Sequence, residues 1–133
     1  MNALVRWARF NLVGALGMAV QLGGLAVFNR CVPAHYLIAS AAALELTLLH
    51  NFAWHVNYTW RDRRDSSPMF TQLLRFHLSN GLVSMAGNVA LMRLLVEGAR
   101  MPVLAANAIA ILCCSVVNFW MGDCWAFAPA AGA

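Results

Sequence analysis

Apart from Glu45 and Arg93, the charged residues of this chain are confined to Arg6 and Arg9, Arg30, the stretch from Arg61 to Arg75, Glu97 to Arg100, and Asp123. What lies between is apolar, in four runs: Phe10 to Asn29, about Ala34 to Val56, about Phe76 to Val96, and Met101 to about Met121. Each run is long enough to cross a hydrocarbon core of roughly 30 Å as a helix. With 62% of residues hydrophobic and 11% charged, the chain needs lipid rather than water around most of its side chains. Backbone polar groups in lipid must bond to one another, so only helices and closed barrels persist there. These runs lack the period-two alternation of a membrane strand and are too few to close a barrel. The predicted fold is therefore an all-α integral membrane bundle of four transmembrane helices, one domain over residues 1–133.

The two halves are related. Asn51-Phe52 through Trp60 returns as Asn118-Phe119 through Phe127, an offset of 67, whereas Arg9-Phe10 returns as Arg75-Phe76, an offset of 66. One inserted residue reconciles the registers, and the repeats run over about 6–61 and 72–128. Two spans per repeat make both repeats enter the membrane in the same direction, so they are parallel repeats. The first span has a counterpart in the third and no small-x-small site follows it near Leu25 to Arg30, so it is read as a retained helix, not a cleaved signal. Arg6, Arg9, Arg61, Arg63, Arg64 and Arg75 fall on one side, against Arg30, Arg93 and Arg100 on the other. That bias places both termini and the polar linker Arg61 to Pro68 in the cytoplasm.

Polar residues recur on matching faces. Asn107, Cys114 and Asn118 fall at i, i+7 and i+11, and the repeat offset takes them to Ser40, Thr47 and Asn51. The third span carries His77, Asn80, Ser84 and Asn88, and its partner face on the first span is Gly14, Gly17, Gln21 and Gly24. Such faces pack membrane helices through close backbone approach and interhelical hydrogen bonds of about 0.6 to 2 kcal/mol. They also suit a path for a polar headgroup, which cannot cross hydrocarbon without replacement hydrogen bonds.

Glu45 breaks the pseudo-symmetry, since Leu112 occupies the equivalent place. A central acid costs roughly 2.5 to 3.5 kcal/mol on insertion scales, so the second span needs the bundle to hold it. Proton coupling and acceptance of sugar hydroxyls are the functional readings. The packing alternative is a protonated Glu45 donating to a neighbouring helix, for instance to Asn88, or across an oligomer interface. Arg9 and Arg75, with His77 beside the latter, sit where the first and third spans are expected to begin. A guanidinium there, near a helix N-terminus, suits a phosphate or lipid headgroup. Arg93 reads as a snorkelling residue, and Tyr58, Trp60, Trp125 and Phe127 as an interfacial aromatic belt.

Several classes are excluded. The nine arginines are not interleaved with aromatics in a stripe, so no nucleic-acid partner is expected. His35, His50, His55 and His77 have no close ligand partners at metal spacing, so neither metal nor other cofactor is expected. Cys31 falls on the outer side, Cys113 and Cys114 within the fourth span and Cys124 inside, with no CxxC pair, so no structural disulfide is expected. No nucleophile elbow, phosphate loop or carboxylate pair is present, which argues against an enzyme.

The Arg9-Phe10 start followed by Val13-Gly14, the four spans, and Asn51-Phe52 leading into Tyr58-Thr59-Trp60 together resemble the GtrA-like small bacterial membrane proteins, over nearly the whole chain. The family's Trp-Thr-Phe becomes Tyr58-Thr59-Trp60, and Gly122 and Asp123 stand where it has basic residues. The resemblance implies a multi-pass protein of the bacterial cytoplasmic membrane, working in cell-surface polysaccharide synthesis by flipping a polyprenyl-phosphate-linked sugar. In that role Arg9, Arg75 and His77 would hold the phosphate. The sugar would follow Ser40, Thr47, Asn51, Asn80, Ser84, Asn88, Asn107 and Asn118, and Glu45 would bind hydroxyls or a proton. Membrane lipids and a homodimer partner are expected companions. The alternatives are a membrane anchor that recruits a glycosyltransferase without transport, and a small multidrug exporter.

Overall fold

In the computed structural model, which describes residues 2–31 and 36–129, the first apolar run is longer than its expected limits: α1 extends over Ala3–Cys31. α2 (Tyr36–Trp54) follows and closes in a π turn, His55–Thr59, before a short 3-10 turn at Arg61–Arg63. α3 (Met69–His77), a π turn at Leu78–Val83, α4 (Ser84–Met92) and a π turn at Arg93–Gly98 form one continuous stretch. α5 (Val103–Met121) closes in a π turn at Gly122–Ala126. Every regular element among the described residues is helical. The chain divides into two compact units, Met1–Arg64 and Asp65–Ala133, at a boundary inside the polar segment Arg61 to Pro68.

Among the described residues, Ala3–Phe28, Met69–Gly98 and Ala105–Ala126 are long and apolar enough to cross a membrane. α2, whose 19 residues include Glu45, His50 and Asn51, covers most of the remaining expected span. Ala34, the expected start of that run, and His35 lie outside the described residues.

In the first unit α1 packs against α2 along a seam of small residues. Ala39, Ala43 and Thr47 recur every fourth position of α2 and are buried. On the facing side, a Cβ added to Gly24 would lie 3.7 Å from the Ala43 Cα, so the two backbones meet with almost nothing between them. This is small-residue packing, in which close approach supplies the dispersion contact that lipid does not. The second unit uses equivalent positions: Ala106 and Ala110 are wholly buried in α5, and Cys114 follows them against Gly87 of α4.

The inserted residue has a location. α1 is an uninterrupted α-helix of 29 residues, and its counterpart Met69–Gly98 has 30. Both start at the 66-residue offset, as Ala3 and Met69. α1 has no π turn over its described residues, whereas its counterpart has one in its interior. The interior π turn Leu78–Val83 accommodates the inserted residue, since a π turn is the way a helix absorbs a single insertion. From Ser84 onward the third helix is in register with α1 at the larger offset, so Ser84 corresponds to Gly17 and Asn88 to Gln21.

Arg100 has φ 53°, the left-handed conformation that reverses the chain after Gly98. Met101 N donates to the Leu95 carbonyl at 2.9 Å across this turn. A Cβ in that conformation costs on the order of 1 kcal/mol, so Arg100→Gly is expected to stabilise the protein by about that amount. The midpoint of unfolding in mixed micelles checks it, with Arg100→Ala, which keeps the Cβ and removes the charge, showing no gain.

Candidate functional site

The two Asn-Phe phrases end in the same backbone structure. Trp60 N donates to the His55 carbonyl at 2.8 Å, and Phe127 N donates to the Gly122 carbonyl at 2.9 Å. The closing residues share a conformation, φ −116° and ψ 35° at Trp60 against φ −119° and ψ 40° at Phe127. A helix C-terminus leaves carbonyls without intrahelical donors, and in both units an arginine supplies one. Arg9 Nη1 donates to the Tyr58 carbonyl at 2.9 Å, and Arg75 Nη1 donates to the Trp125 carbonyl at 3.2 Å.

The residue after each arginine completes the closure. Phe10 meets Trp60 with ring centroids 6.0 Å apart at 66°, and Phe76 meets Phe127 at 6.0 Å and 53°. The Arg-Phe openings and the aromatic endings are thus two sides of one contact, made once per unit. Trp60 and Phe127 are 0% exposed, which corrects their expected place in an interfacial belt. The π turn folds each ring back onto its own helix pair. Tyr58, half-buried, and Trp125, exposed, remain nearer the surface, and the Arg9 guanidinium carbon lies 4.5 Å from the Tyr58 ring centroid. The first unit adds His55, buried and stacked on Phe10 at 5.0 Å and 13°, with Nδ1 3.0 Å from Thr59 Oγ1.

The expected combination of arginine and helix N-terminus is not formed. Both helices begin six residues earlier, at Ala3 and Met69, so Arg9 and Arg75 stand about 9 Å along the axis at 1.5 Å per residue. The positive helix end is effective only within its first turn. His77 Nδ1 donates to the Leu73 carbonyl at 3.1 Å within its own helix. Arg6, read from the sequence only as a topology signal, and Gln72, not singled out there, are both buried and lie 66 residues apart, with Gln72 Nε2 donating to the Ser67 carbonyl at 3.0 Å. The repeat offset itself was the signal that would have paired them.

The polar stripes divide. Thr47 is buried and its hydroxyl donates to the Ala43 carbonyl at 2.7 Å. Asn51 packs against Gly17, where any Cβ would collide with its amide, and accepts from His50 Nδ1 at 3.2 Å. Ser40, one residue off the seam, is exposed, and Glu45 is exposed on the side of α2 away from Ala43 and Thr47. In the second unit, Asn80 donates to Ser79 Oγ at 3.3 Å, Asn107 is half-buried, and Asn118 is buried. The carboxamide oxygens of Asn88 and Asn118 are buried and accept no hydrogen bond from any described residue. A cavity of about 90 Å³ beside Asn118 is bounded by Ser84, Gly87 and Cys114, and Cys114 Sγ donates to the Ser84 carbonyl at 3.7 Å.

Helices of membrane-spanning length and two alike arginine-closed helix pairs define a multi-pass α-helical membrane protein. Residues 9–127 match the GtrA/DPMS transmembrane domain, and the chain belongs to that family. It is also similar to a dolichol-phosphate mannosyltransferase of Pyrococcus furiosus, 39% identical over 75 residues. That match covers 56% of this chain and 20% of the relative, so the chain spans about a fifth of the relative's length.

Gly17→Ala is expected to destabilise the first unit by about 1 to 3 kcal/mol, the usual cost of overpacking. Truncating the opposing amide as well, in Gly17→Ala/Asn51→Ala, should recover part of that loss, because the two sites are directly coupled. Unfolding midpoints of the two single variants and the double variant in micelles measure the coupling.

Proposed function

We propose that this protein moves a polyprenyl-phosphate-linked sugar between the leaflets of a bacterial cytoplasmic membrane, with no bond chemistry of its own. In this reading all four helical stretches span, both termini are cytoplasmic, and the two units act as parallel repeats of one transmembrane domain. The observation that carries it is the pair of half-buried guanidiniums, Arg9 and Arg75, each oriented by a helix-closing carbonyl at the same place in its unit. A bond to a neutral carbonyl fixes the guanidinium plane without cancelling its charge. On the cytoplasmic side, each such cation suits a lipid-linked phosphate.

The sugar needs hydroxyl partners beyond that level. Asn88 and Asn118 each hold a buried oxygen with no donor, a state that costs about 1 to 3 kcal/mol and that a hydroxyl would relieve. Ser40, Asn51, Asn80, Ser84 and Asn107 extend the set, with Thr47 already bonded within α2. Glu45 is assigned to hydroxyl or proton binding on the outer side of α2, apart from the stripe. The family match and the relative's dolichol-phosphate chemistry agree with a polyprenyl-phosphate sugar as the ligand. A homodimer completes the reading, since a chain of 133 residues has little interior of its own.

A second reading has one specific observation in its favour: in the matched relative, this kind of segment is a fifth of a mannosyltransferase. The chain would then anchor or recruit a glycosyltransferase, with the Arg61–Arg64 segment as the docking point.

Transbilayer movement of a polyprenyl-phosphate hexose, in liposomes holding only this protein, separates the two. Movement above empty liposomes, reduced about tenfold or more by Arg75→Ala, is the expected outcome, because a charged hydrogen bond is worth about 1.5 to 3 kcal/mol. Preserved helicity and dimer crosslinking in the variant show that the loss is of binding rather than of fold. No movement with folded wild-type protein would leave the anchoring reading.

A further inference from the structure

The second unit carries a groove of about 310 Å³ at the end of its long helix away from Arg75. Arg93 and Glu97, four residues apart, line it together with the Asn88 carboxamide, over apolar walls that include Met92, Val89 and Val103. Arg93 and Glu97 are exposed. Arg93 lies 18 residues beyond Arg75, about 27 Å at 1.5 Å per residue, which is close to the thickness of a hydrocarbon core of roughly 30 Å. A lipid head held near Arg75 and one held in this groove would therefore sit at opposite leaflets.

The donor and acceptor inventory narrows the occupant. A guanidinium only donates, a carboxylate only accepts, and a carboxamide does both; vicinal hydroxyls of a pyranose both donate and accept. The Asn88 oxygen, buried at the wall of the groove, has no hydrogen-bond partner among the described residues. The apolar walls suit the C–H face of a sugar ring. A bare phosphate fits poorly, because the Glu97 carboxylate repels the charge that Arg93 attracts.

We propose that the Asn88, Arg93 and Glu97 groove is a glycosyl-binding subsite that takes the neutral sugar head of the lipid at the leaflet opposite Arg75. Its place in a transport cycle rests on the flipping reading; its chemistry rests on the groove. Arg93 is then a ligand-binding residue and not a snorkelling one.

The full chain in nanodiscs, titrated with polyprenyl-phosphate hexose and separately with polyprenyl phosphate, tests this. Glu97→Gln and Arg93→Gln are each expected to weaken binding of the sugar-bearing lipid about five- to tenfold, the scale of one solvent-exposed hydrogen bond, and to leave the sugar-free lipid within about twofold. Both positions are exposed, so unchanged melting of the variants is the control for fold. Equal losses for the two lipids, or no loss for either, overturn the groove and leave the flipping reading standing. Wild-type protein that binds neither lipid overturns both.

Discussion

A helix that ends near a membrane leaves carbonyls that neither lipid nor the helix itself can satisfy, and the rest of this structure is arranged around two such ends. Each is closed by an arginine from the partner helix of its own unit and sealed by the neighbouring phenylalanine against a buried aromatic ring. That closure fixes the register of one helix on the other. The small residues then fall opposite each other: Gly24 on Ala43 and Gly17 on Asn51 in the first unit, Gly87 on Cys114 in the second. With backbones this close, dispersion replaces the hydrophobic drive that lipid removes.

The same constraint gives the two arginines one structural role in common, since each guanidinium holds a carbonyl at the end of the partner helix. The two units share this closure but not what lies beyond it. The first fills the space behind it with His55 stacked on Phe10, where the second has Gly122, and it docks the Asn51 amide onto a bare glycine. The second has its π turn at Leu78–Val83, a cavity beside Asn118, and two carboxamide oxygens without donors. The two asparagine oxygens that accept no hydrogen bond from a described residue, on Asn88 and Asn118, both lie in residues 65–133.

Particular residues show how far sequence reasoning carried. The helical class, the repeat and its one-residue discrepancy were legible because apolar runs, charges and the Asn-Phe phrases are local patterns. The stripe was legible only approximately: Ser40 and Asn107 belong to it by spacing, yet the buried seams contain Ala39 and Ala106, one residue away. Spacing defines a face to within about 100° per residue, and the partner helix selects which residues are covered. Trp60 and Phe127 were misplaced because an aromatic at the end of a span is chemically suited to both interface and core. Arg93 and Glu97 drew little notice because charges four residues apart on a helix are ordinary surface features until a groove is seen between their side chains.

Sequence alone determined that this chain is helical and lives in lipid, since those conclusions need only the length and period of its apolar runs. It also determined that an Arg-Phe pair and an Asn-Phe phrase recur together. Tertiary structure decided that the two recurring phrases are halves of one contact and that the inserted residue lies in the helix at Leu78–Val83. It also decided which polar groups are used up in packing. These depend on which side chains meet across a helix pair. Partners that are 49 or 50 residues apart, as Arg9 is from Tyr58 and Arg75 from Trp125, leave no local period by which to be recognised.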